Sequence, residues 1–265
     1  MRDRLRTFFI REDAEYDAFT ARYQARSTGA KALYLILHLV PGILAYALIN
    51  VPAVYDSLLG ITGLSAPIFQ GSVVLGVFFV WHLAVPLLVL RWADKLSFRE
   101  SISFLGLRRL DFKGLLVVVP VVFVVYTLCS LPYMKWVFPT LTQWIAAIPG
   151  LNPPAYSIWR DPSAAYGLFP AWFVAVGLLG NFFCEEVYFR GYLLKKIGFL
   201  GGWSWLVNSV LFALYHIWQA PTTWALIGPV LVFGLLIRWR KNLYPLIAFH
   251  FLVNIVWGAI MAQMQ

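Results

Sequence analysis

Residues 168 to 194 read LFPAWFVAVGLLGNFFCEEVYFRGYLL, an apolar run that contains two adjacent carboxylates. A helix needs about 20 apolar residues to cross the hydrocarbon core of a bilayer, so this run is long enough. Glu185 and Glu186 are the only acidic residues in any apolar run of such length in the chain. An ionisable group in hydrocarbon costs from about 2.5 to well over 10 kcal/mol. The pair therefore predicts a functional site inside a membrane protein.

The composition of the whole chain is that of an integral membrane protein. Hydrophobic residues make up 61% of the 265 residues and charged residues 12%, which leaves too little polar surface for a soluble domain of this size. The apolar runs are continuous and about 20 residues long, as membrane helices require. The sequence predicts an all-α protein whose helices form a polytopic transmembrane bundle.

Hydropathy divides the chain into an amino-terminal segment and one bundle. Residues 1–31 mix basic, acidic and aromatic side chains, which favours a cytoplasmic segment at the membrane interface. Residues 32–265 are expected to form a single bundle of seven spans, or of eight if the segment 140–167 contains another membrane element. The predicted spans are 32–52, 72–91, 114–134, 168–194, 203–219, 222–237 and 243–262.

The basic residues indicate the orientation of these spans. With the amino terminus inside, all of the 21 lysines and arginines except Lys135 and Arg160 fall in inner segments, as the positive-inside rule requires. The sequence predicts a multi-pass protein with a cytoplasmic amino terminus, in the cell membrane if the source is prokaryotic. Because the basic residues flank apolar runs and form no separate basic domain, the lipid bilayer is an expected partner and nucleic acid is not.

The two carboxylates and a nearby arginine have unequal positions on their helix. Glu186 and Arg190 are four residues apart, so they share a face and are expected to pair. Glu185 is turned about 100° from Glu186. It needs another partner, because one arginine cannot satisfy two carboxylates that face apart. A buried ion-pair network that only fixes helix packing is the alternative interpretation of the pair.

Candidate partners for Glu185 lie in two later spans. Phe212 and His216 are four residues apart in the fifth span, and His250 and Asn254 are four apart in the seventh. At about 1.5 Å per residue, the histidines, the asparagine and Glu185 lie about 10 to 20 Å from the inner ends of their helices. These polar groups therefore share one layer of the membrane. Hydrogen bonding between helices is the alternative role for the two histidines.

Together these groups are sufficient for amide hydrolysis. A carboxylate and an imidazole that share a water can remove its proton. An imidazole with a carboxamide can donate hydrogen bonds to an oxyanion. A low-dielectric cavity strengthens each of these interactions. The sequence therefore predicts a hydrolytic site within the bundle.

Three motifs of the chain resemble those of a known family. They are Glu185-Glu186-x-x-x-Arg190, Phe212-x-x-x-His216 and His250-x-x-x-Asn254. In this order they are similar to the motifs of the type II CAAX prenyl endopeptidases and their prokaryotic relatives, the CAAX protease and bacteriocin-processing (CPBP) family of glutamate intramembrane proteases. The resemblance covers about residues 168–258, the expected catalytic part. This family is usually described with eight spans.

The resemblance implies a role for each of these side chains. Glu185 would be the general base that activates a water, and His216 would help to position that water. His250 and Asn254 would form the oxyanion hole. The supporting residues would be Glu186, Arg190 and Phe212.

The resemblance also implies a glutamate mechanism in which no cofactor is expected. One carboxylate and two histidines are a common catalytic zinc set as well. The chain contains no His-Glu-x-x-His motif that would strengthen the zinc alternative. Zinc therefore stays open as an alternative.

The leading functional hypothesis is an intramembrane endopeptidase that cuts a membrane-associated peptide or protein substrate. A proton-coupled membrane transporter, with Glu185, Glu186 and the histidines as a relay, is one alternative. Transporters usually have repeated halves, and the sequence shows no internal repeat. A non-catalytic membrane regulator or scaffold of the same fold is the other alternative.

Overall fold

The predicted helices are present in a computed structural model, which describes residues 7–160 and 165–259. Within these ranges the regular structure consists of α-, 3-10 and π-helical turns, with no β-strand. The helices are α1 (Ala14–Ala21), α2 (Thr28–Leu37), α3 (Val40–Asn50), α4 (Pro52–Thr62), α5 (Ala66–Ala93), α6 (Phe98–Leu105), α7 (Gly114–Ala146), α8 (Ala171–Lys196), α9 (Ser204–Tyr215), α10 (Ile227–Arg240) and α11 (Leu243–Trp257). The all-α class predicted from the sequence is confirmed.

Helix length limits how many of these elements can span a bilayer. Four stretches are long and apolar enough, namely α5, α7, α8 and Gly198–Gln219, which contains α9. Helices α2 and α3 form a pair bent by 42°, which gives a fifth span if the two are taken as one. Helix α10 has 14 residues, and α11 is a shorter apolar helix. The described residues do not confirm the predicted count of seven or eight spans.

The first predicted span, 32–52, is broken in the structure. Helix α2 ends at Leu37 and α3 begins at Val40. Pro41 lacks the N–H that would bond to the carbonyl of Leu37, so a continuous helix would lose that bond. Beyond the break, Gly42 allows α3 to approach α9 closely, since a Cβ at this position would overlap the carbonyl oxygen of Tyr215.

The third predicted span is longer than expected. Helix α7 continues to Ala146, beyond the predicted end at 134. After it, residues 147–160 form short turns and contain no further spanning helix. Parts of three predicted segments lie outside the described residues, namely 1–6, 161–164 and 260–262.

The ends of the helices lie alternately on two faces of the bundle. One of these, the basic face, is formed by residues 7–27, 94–113, 196–203 and 238–243. Hydrogen bonds join its segments, from the Arg11 N–H to the Trp239 carbonyl at 2.8 Å and from the Leu243 N–H to the Gly106 carbonyl at 3.1 Å. The basic face therefore collects the lysine- and arginine-rich connections of the chain.

The opposite face is formed by residues 50–66, 147–160 and 218–226. The Tyr46 hydroxyl donates to the carbonyl of Gly150 at 2.7 Å, and the amide of Asn50 donates to the carbonyl of Trp218 at 3.2 Å. The side chain of Gln70 holds the segment 147–160 through the backbone of Tyr156. This face carries the connections that the sequence predicts to lie on the outer side of the membrane.

The amino-terminal segment packs on the basic face. Phe19 and Tyr23 are buried, and the ring of Phe19 lies edge-on to that of Phe104, with centroids 5.2 Å apart. The hydroxyl of Tyr23 accepts a hydrogen bond from Lys196 at 3.1 Å. The described part of this segment is therefore anchored to the end of α8 and to α6.

Candidate active site

Helix α8 carries the two carboxylates into the centre of the bundle. Two π-helical stretches, Gly180–Cys184 and Val187–Leu193, flank Glu185 and Glu186. Wide turns of this kind occur frequently at functional sites. The two glutamates are 1% and 0% exposed. Because a buried carboxylate is costly unless it is paired or hydrogen-bonded, the partners of these residues define the site.

Glu185 lies beside three polar side chains. Its Oε1 accepts a hydrogen bond from the hydroxyl of Tyr215 at 3.3 Å, and its Oε2 accepts one from the amide of Asn181 at 3.3 Å. The Nε2 of His216 lies 3.7 Å from Oε1. The structure thus brings His216 to Glu185, at a separation longer than a direct hydrogen bond.

The hydrogen bond made by the other ring nitrogen of His216, Nδ1, shows which of the two nitrogens carries the proton. Its Nδ1 lies 2.9 Å from the carbonyl oxygen of Phe212, four residues earlier. A carbonyl oxygen only accepts, so Nδ1 carries the proton and donates it. In the neutral ring Nε2 is then an acceptor. Two acceptors, Nε2 and the Oε1 of Glu185, therefore stand 3.7 Å apart, and a molecule in the adjoining cavity that donates two hydrogen bonds can bridge them.

Glu186 connects the second histidine to the arginine. Its Oε1 accepts from the Nη1 of Arg190 at 3.1 Å and from the Nδ1 of His250 at 2.9 Å. The side chains of Glu186 and Arg190 are both 0% exposed, and the expected pairing between them is present. His250 contacts Glu186 and not Glu185, and this carboxylate fixes the orientation of its ring.

Aromatic rings surround the guanidinium of Arg190. Its Cζ lies 3.8 Å from the ring centroid of Phe212 and 5.3 Å from that of Phe233. Nε and Nη2 have no hydrogen-bond partner among the described residues, so these cation–π contacts supplement the single bond to Glu186. Phe212 also meets His216 edge-on, with centroids 4.8 Å apart. Phe212 therefore forms a wall between the arginine and the histidine.

Asn254 reaches Glu185 through an intermediate residue. The amide of Asn254 donates to the Oδ1 of Asn181, and the amide of Asn181 donates to Glu185. Within the described residues no hydrogen bond joins Asn254 to His250, the pair that the resemblance assigns to an oxyanion hole. Asn254 is exposed on the surface of the bundle.

Asn181 and Tyr215 contact Glu185 but are absent from the three sequence motifs. Asn181 lies four residues before Glu185, and a carboxamide in an apolar run is a polar signal of the same kind as the carboxylates. Tyr215 directly precedes His216, and tyrosines are common near the ends of membrane helices. No sequence signal therefore distinguishes Tyr215 from an interfacial anchor.

A cavity of about 60 Å³ adjoins Glu185 and His216. At about 15 Å³ for each molecule, such a space holds roughly four waters. Asn181 lines it as well, and the remaining wall is mostly apolar. The larger apolar side chains in that wall are Phe78, Trp159, Phe169, Phe173 and Trp218. The cavity is thus a largely apolar space whose polar lining consists of Asn181, Glu185, His216 and Gln219, together with the two indole rings.

The two histidines and the carboxylate that the zinc alternative requires have different partners in the structure. Among the residues that the structure describes, no group of three or more His, Cys, Asp and Glu side chains is placed to hold a metal ion. His250 directs its Nδ1 to Glu186, whereas His216 faces Glu185. The candidate ligands therefore do not converge on one point, and no catalytic step is assigned to a metal.

Comparison with known proteins finds a family to which this region is similar. Residues 167–256 match the family model described as Type II CAAX prenyl endopeptidase Rce1-like. The match contains the three motifs together with Asn181 and Tyr215. No curated protein and no solved structure matches the chain. With its apolar helices, the chain is thus a multi-pass membrane protein in which residues 167–256 are similar to the type II CAAX prenyl endopeptidase Rce1-like family.

Proposed function

We propose that this protein is an intramembrane endopeptidase in which Glu185 activates a water and His216 positions it. The observation that supports this is the pair of acceptors, Glu185 Oε1 and His216 Nε2, 3.7 Å apart at the edge of a cavity. A water at a hydrogen-bond distance of about 2.8 Å from both can donate one hydrogen bond to each. In that position Glu185 acts as the general base.

Hydrolysis then proceeds with all protons accounted for. Glu185 takes a proton from the water, and the resulting hydroxide attacks the carbonyl carbon of the substrate's peptide bond. The carbonyl oxygen becomes an oxyanion, which the amide of Asn254 stabilises as a hydrogen-bond donor. Glu185 returns its proton to the leaving amine as the C–N bond breaks.

His250 is the proposed second donor to the oxyanion. Its Nδ1 donates to Glu186, so Nε2 is the nitrogen that can face the substrate. Donation from Nε2 requires the imidazolium form of the ring, in which both nitrogens are donors. Arg190 bonds to the same carboxylate oxygen and so supports the position of both residues.

The basic face is proposed to lie in the cytoplasm together with the amino terminus. Positive charge is concentrated on that face, as in the cytoplasmic connections of membrane proteins generally. The proposed substrate is a membrane-associated peptide or protein in the bilayer. The mechanism uses side chains of this chain alone and includes no cofactor.

The central test is the substitution Glu185→Gln in cells that express the full chain. Mass spectrometry of membrane-anchored peptides should show uncleaved substrate in cells with Glu185→Gln and cleaved product in cells with the native protein. Glu15→Gln is the matched control, because Glu15 is exposed and pairs with Arg108 far from the site. Identical peptide patterns for the native protein and Glu185→Gln would sink the proposed mechanism.

Two further measurements separate the alternatives. Activity that is lost in a chelator and restored only by zinc would replace the metal-free mechanism. Proton-dependent solute uptake into vesicles that survives Asn254→Ala would favour the transporter. For a protease, Asn254→Ala should instead reduce turnover by about a hundredfold, the typical effect of losing one oxyanion donor.

A further inference from the structure

A cavity of about 310 Å³ lies in the basic face, apart from the site described above. Its wall is formed by the start of α1, the end of α6 and the connections that follow α6 and α10. The lining includes none of the residues to which a part in hydrolysis is assigned. Among the described residues, three acidic side chains line the cavity, all within residues 12–15, and four basic ones do, namely Arg11, Arg108, Arg109 and Lys241.

Two buried donors in this lining have no hydrogen-bond partner among the described residues. One is the hydroxyl of Ser103, a residue that is 9% exposed, and the other is the Nη1 of Arg11. Buried polar groups are normally hydrogen-bonded, so each unpaired donor needs an explanation. Ser103 belongs to α6 and Arg11 precedes α1, yet both line the same cavity. One ligand that accepts hydrogen bonds there would satisfy both donors.

The ion pairs around the cavity leave one arginine of the lining without a carboxylate. The other three basic side chains are paired, Arg11 with Asp13, Arg108 with Glu15 and Lys241 with Asp17. These pairs engage two of the three acidic side chains of the lining, and the third, Glu12, is not free either. Arg109 is exposed, and within the described residues its guanidinium makes no ion pair or hydrogen bond. Its positive charge is therefore available to a ligand.

A second positive charge lies behind the wall of the cavity. Lys195 is 0% exposed, and among the described residues its ammonium donates only to the carbonyl of Gly191, at 3.2 Å. The same ammonium lies 4.1 Å from the ring centroid of Tyr16, which lines the cavity. A buried ammonium that pairs with no carboxylate makes its surroundings positive. Together with Arg109 it favours an anion in the cavity.

Exposed apolar side chains continue from the cavity along the chain towards the membrane. Leu110 and Phe112 follow Arg109 and are 51% and 66% exposed, and Leu116 in the first turns of α7 is 73% exposed. Helix α7 is long and apolar enough to span a bilayer. Apolar side chains at the start of such a helix suit the boundary between headgroups and acyl chains. A polar cavity with this border matches a ligand that has a charged head and an apolar tail.

We infer that the cavity of the basic face binds the headgroup of an anionic phospholipid. Ser103 and Arg11 donate hydrogen bonds to oxygens of its phosphate, and Arg109 contributes its unpaired charge. The acyl chains lie against Leu110 and Phe112. Basic cavities at the surface of a membrane suit such lipids, because lysine and arginine attract the negative headgroup. The inference does not depend on the proposed endopeptidase activity, since the two sites share no residue.

Lipid retention by the purified full chain tests this site. Native mass spectrometry in detergent with added phosphatidylglycerol should show bound lipid on the native protein. Arg109→Gln should weaken this binding about tenfold, as the loss of one hydrogen bond to a charged group does. Arg99→Gln is the matched control, because Arg99 is exposed on the basic face and does not line the cavity. Equal retention by the native protein and both variants would overturn the inference.

Ser103→Ala separates binding from folding. Because the hydroxyl has no partner in the described protein, its removal should leave the unfolding temperature without lipid unchanged or raised. The same variant should retain phosphatidylglycerol about tenfold less well, since a hydrogen bond to the charged phosphate is lost. A lower unfolding temperature without lipid would show that the hydroxyl is already bonded within the protein, which contradicts the inference.

Two other ligands decide the chemical class that the cavity binds. Phosphatidylcholine has the same phosphate but compensates it with a positive charge, so the native protein should retain it less well than phosphatidylglycerol. Equal retention of the two lipids would overturn the preference for an anionic headgroup. Glycerol 3-phosphate has the charge without acyl chains and should raise the unfolding temperature less than phosphatidylglycerol does. If it stabilises the protein equally at the same concentration, the cavity binds a soluble phosphate and the assignment to a lipid fails.

Discussion

Glu185 and Glu186 are consecutive on α8, yet their carboxylates contact separate parts of the bundle. Glu185 accepts a hydrogen bond from Tyr215 on the α9 side, whereas Glu186 accepts from Arg190 and from His250 of α11. One carboxylate borders a cavity and the other belongs to an enclosed ion pair. The two glutamates should therefore respond differently to the same substitution.

Glu186→Gln should destabilise the fold far more than Glu185→Gln. It leaves Arg190, which is 0% exposed, as an uncompensated buried charge, and the loss of one partner of a buried pair costs about 3 to 5 kcal/mol. Glutamine at position 185 keeps the size of the side chain and an oxygen that accepts from Tyr215. Thermal unfolding of both variants in detergent micelles measures the difference.

A double variant provides the control for this prediction. Glu186→Gln with Arg190→Met removes the buried charge together with its partner, so it should recover most of the lost stability. If Glu186→Gln alone is as stable as the native protein, other groups compensate the charge of Arg190. The pair with Glu186 then does not contribute the expected stability of about 3 to 5 kcal/mol.

Asn181 connects Glu185 to Asn254, and we predict that it positions both for hydrolysis. Asn181→Ala removes the donor to Glu185 and the acceptor of Asn254. A misplaced catalytic group acts mainly on the transition state, so kcat should fall about tenfold or more with little change in KM. Steady-state kinetics on a substrate identified by the peptide comparison measures this effect.

A double-mutant cycle separates positioning from general damage. If Asn181 acts through Asn254, then Asn254→Ala should cost less in the Asn181→Ala background than in the native protein. The matched control is Asn152→Ala, because Asn152 is exposed on the opposite face and, among the described residues, donates to the carbonyl of Ala146. Fully additive effects of Asn181→Ala and Asn254→Ala would contradict the proposed connection.

The contacts within single helices could be predicted from the sequence. Glu186 with Arg190, and Phe212 with His216, are four residues apart, and the helix itself brings such residues together. The structure shows both contacts. Contacts between helices also depend on the rotation of each helix about its axis, which depth in the membrane does not determine. For this reason spacing pairs His250 with Asn254, while the structure turns His250 towards Glu186.

The number of spans could not be predicted for a different physical reason. Hydropathy counts apolar residues, whereas a span also needs about 20 residues of uninterrupted helix. The turn between Leu37 and Val40 divides the first predicted span into α2 and α3, which are bent by 42°. Lys241, at φ 50°, ends α10 in the left-handed region. Such breaks depend on the backbone and on packing against neighbouring helices, and they leave the apolar content of the sequence unchanged.

Tyr215→Phe should lower turnover while preserving the fold. The Tyr215 hydroxyl donates to Glu185 at 3.3 Å, and a hydrogen bond to a charged group contributes about 1.5 to 3 kcal/mol. Its loss allows the carboxylate to rotate away from His216, so kcat should fall about tenfold. Tyr188→Phe is the matched control, since the Tyr188 hydroxyl donates to the carbonyl of Leu37 and does not contact Glu185. Equal loss of turnover in both variants would contradict a specific role for Tyr215.

Asp111 and Arg240 join the connection before α7 to the end of α10 on the basic face, and the pair should make stability depend on pH. Arg240 donates to Asp111 at 2.6 and 2.7 Å. Burial raises the pKa of Asp111, but the hydrogen bonds from Arg240 and from the Gly114 N–H and the charge of Arg240 outweigh it, so the pKa lies below its ordinary value. A lowered pKa stabilises the fold above the unfolded value of about 3.9, and this contribution is lost as the pH falls through the folded value.

Asp111→Asn should therefore remove part of the acid sensitivity as well as lowering stability at neutral pH. Arg240 is 3% exposed, so the loss of its partner should cost about 3 kcal/mol. The matched control is Glu15→Gln, whose exposed pair with Arg108 should contribute less than about 1 kcal/mol. Unfolding midpoints measured from pH 7 down to pH 2 should draw together for native protein and Asp111→Asn below about pH 3.9, as Asp111 becomes protonated. Parallel curves with a constant offset would show that the ion pair is not the source of the pH dependence.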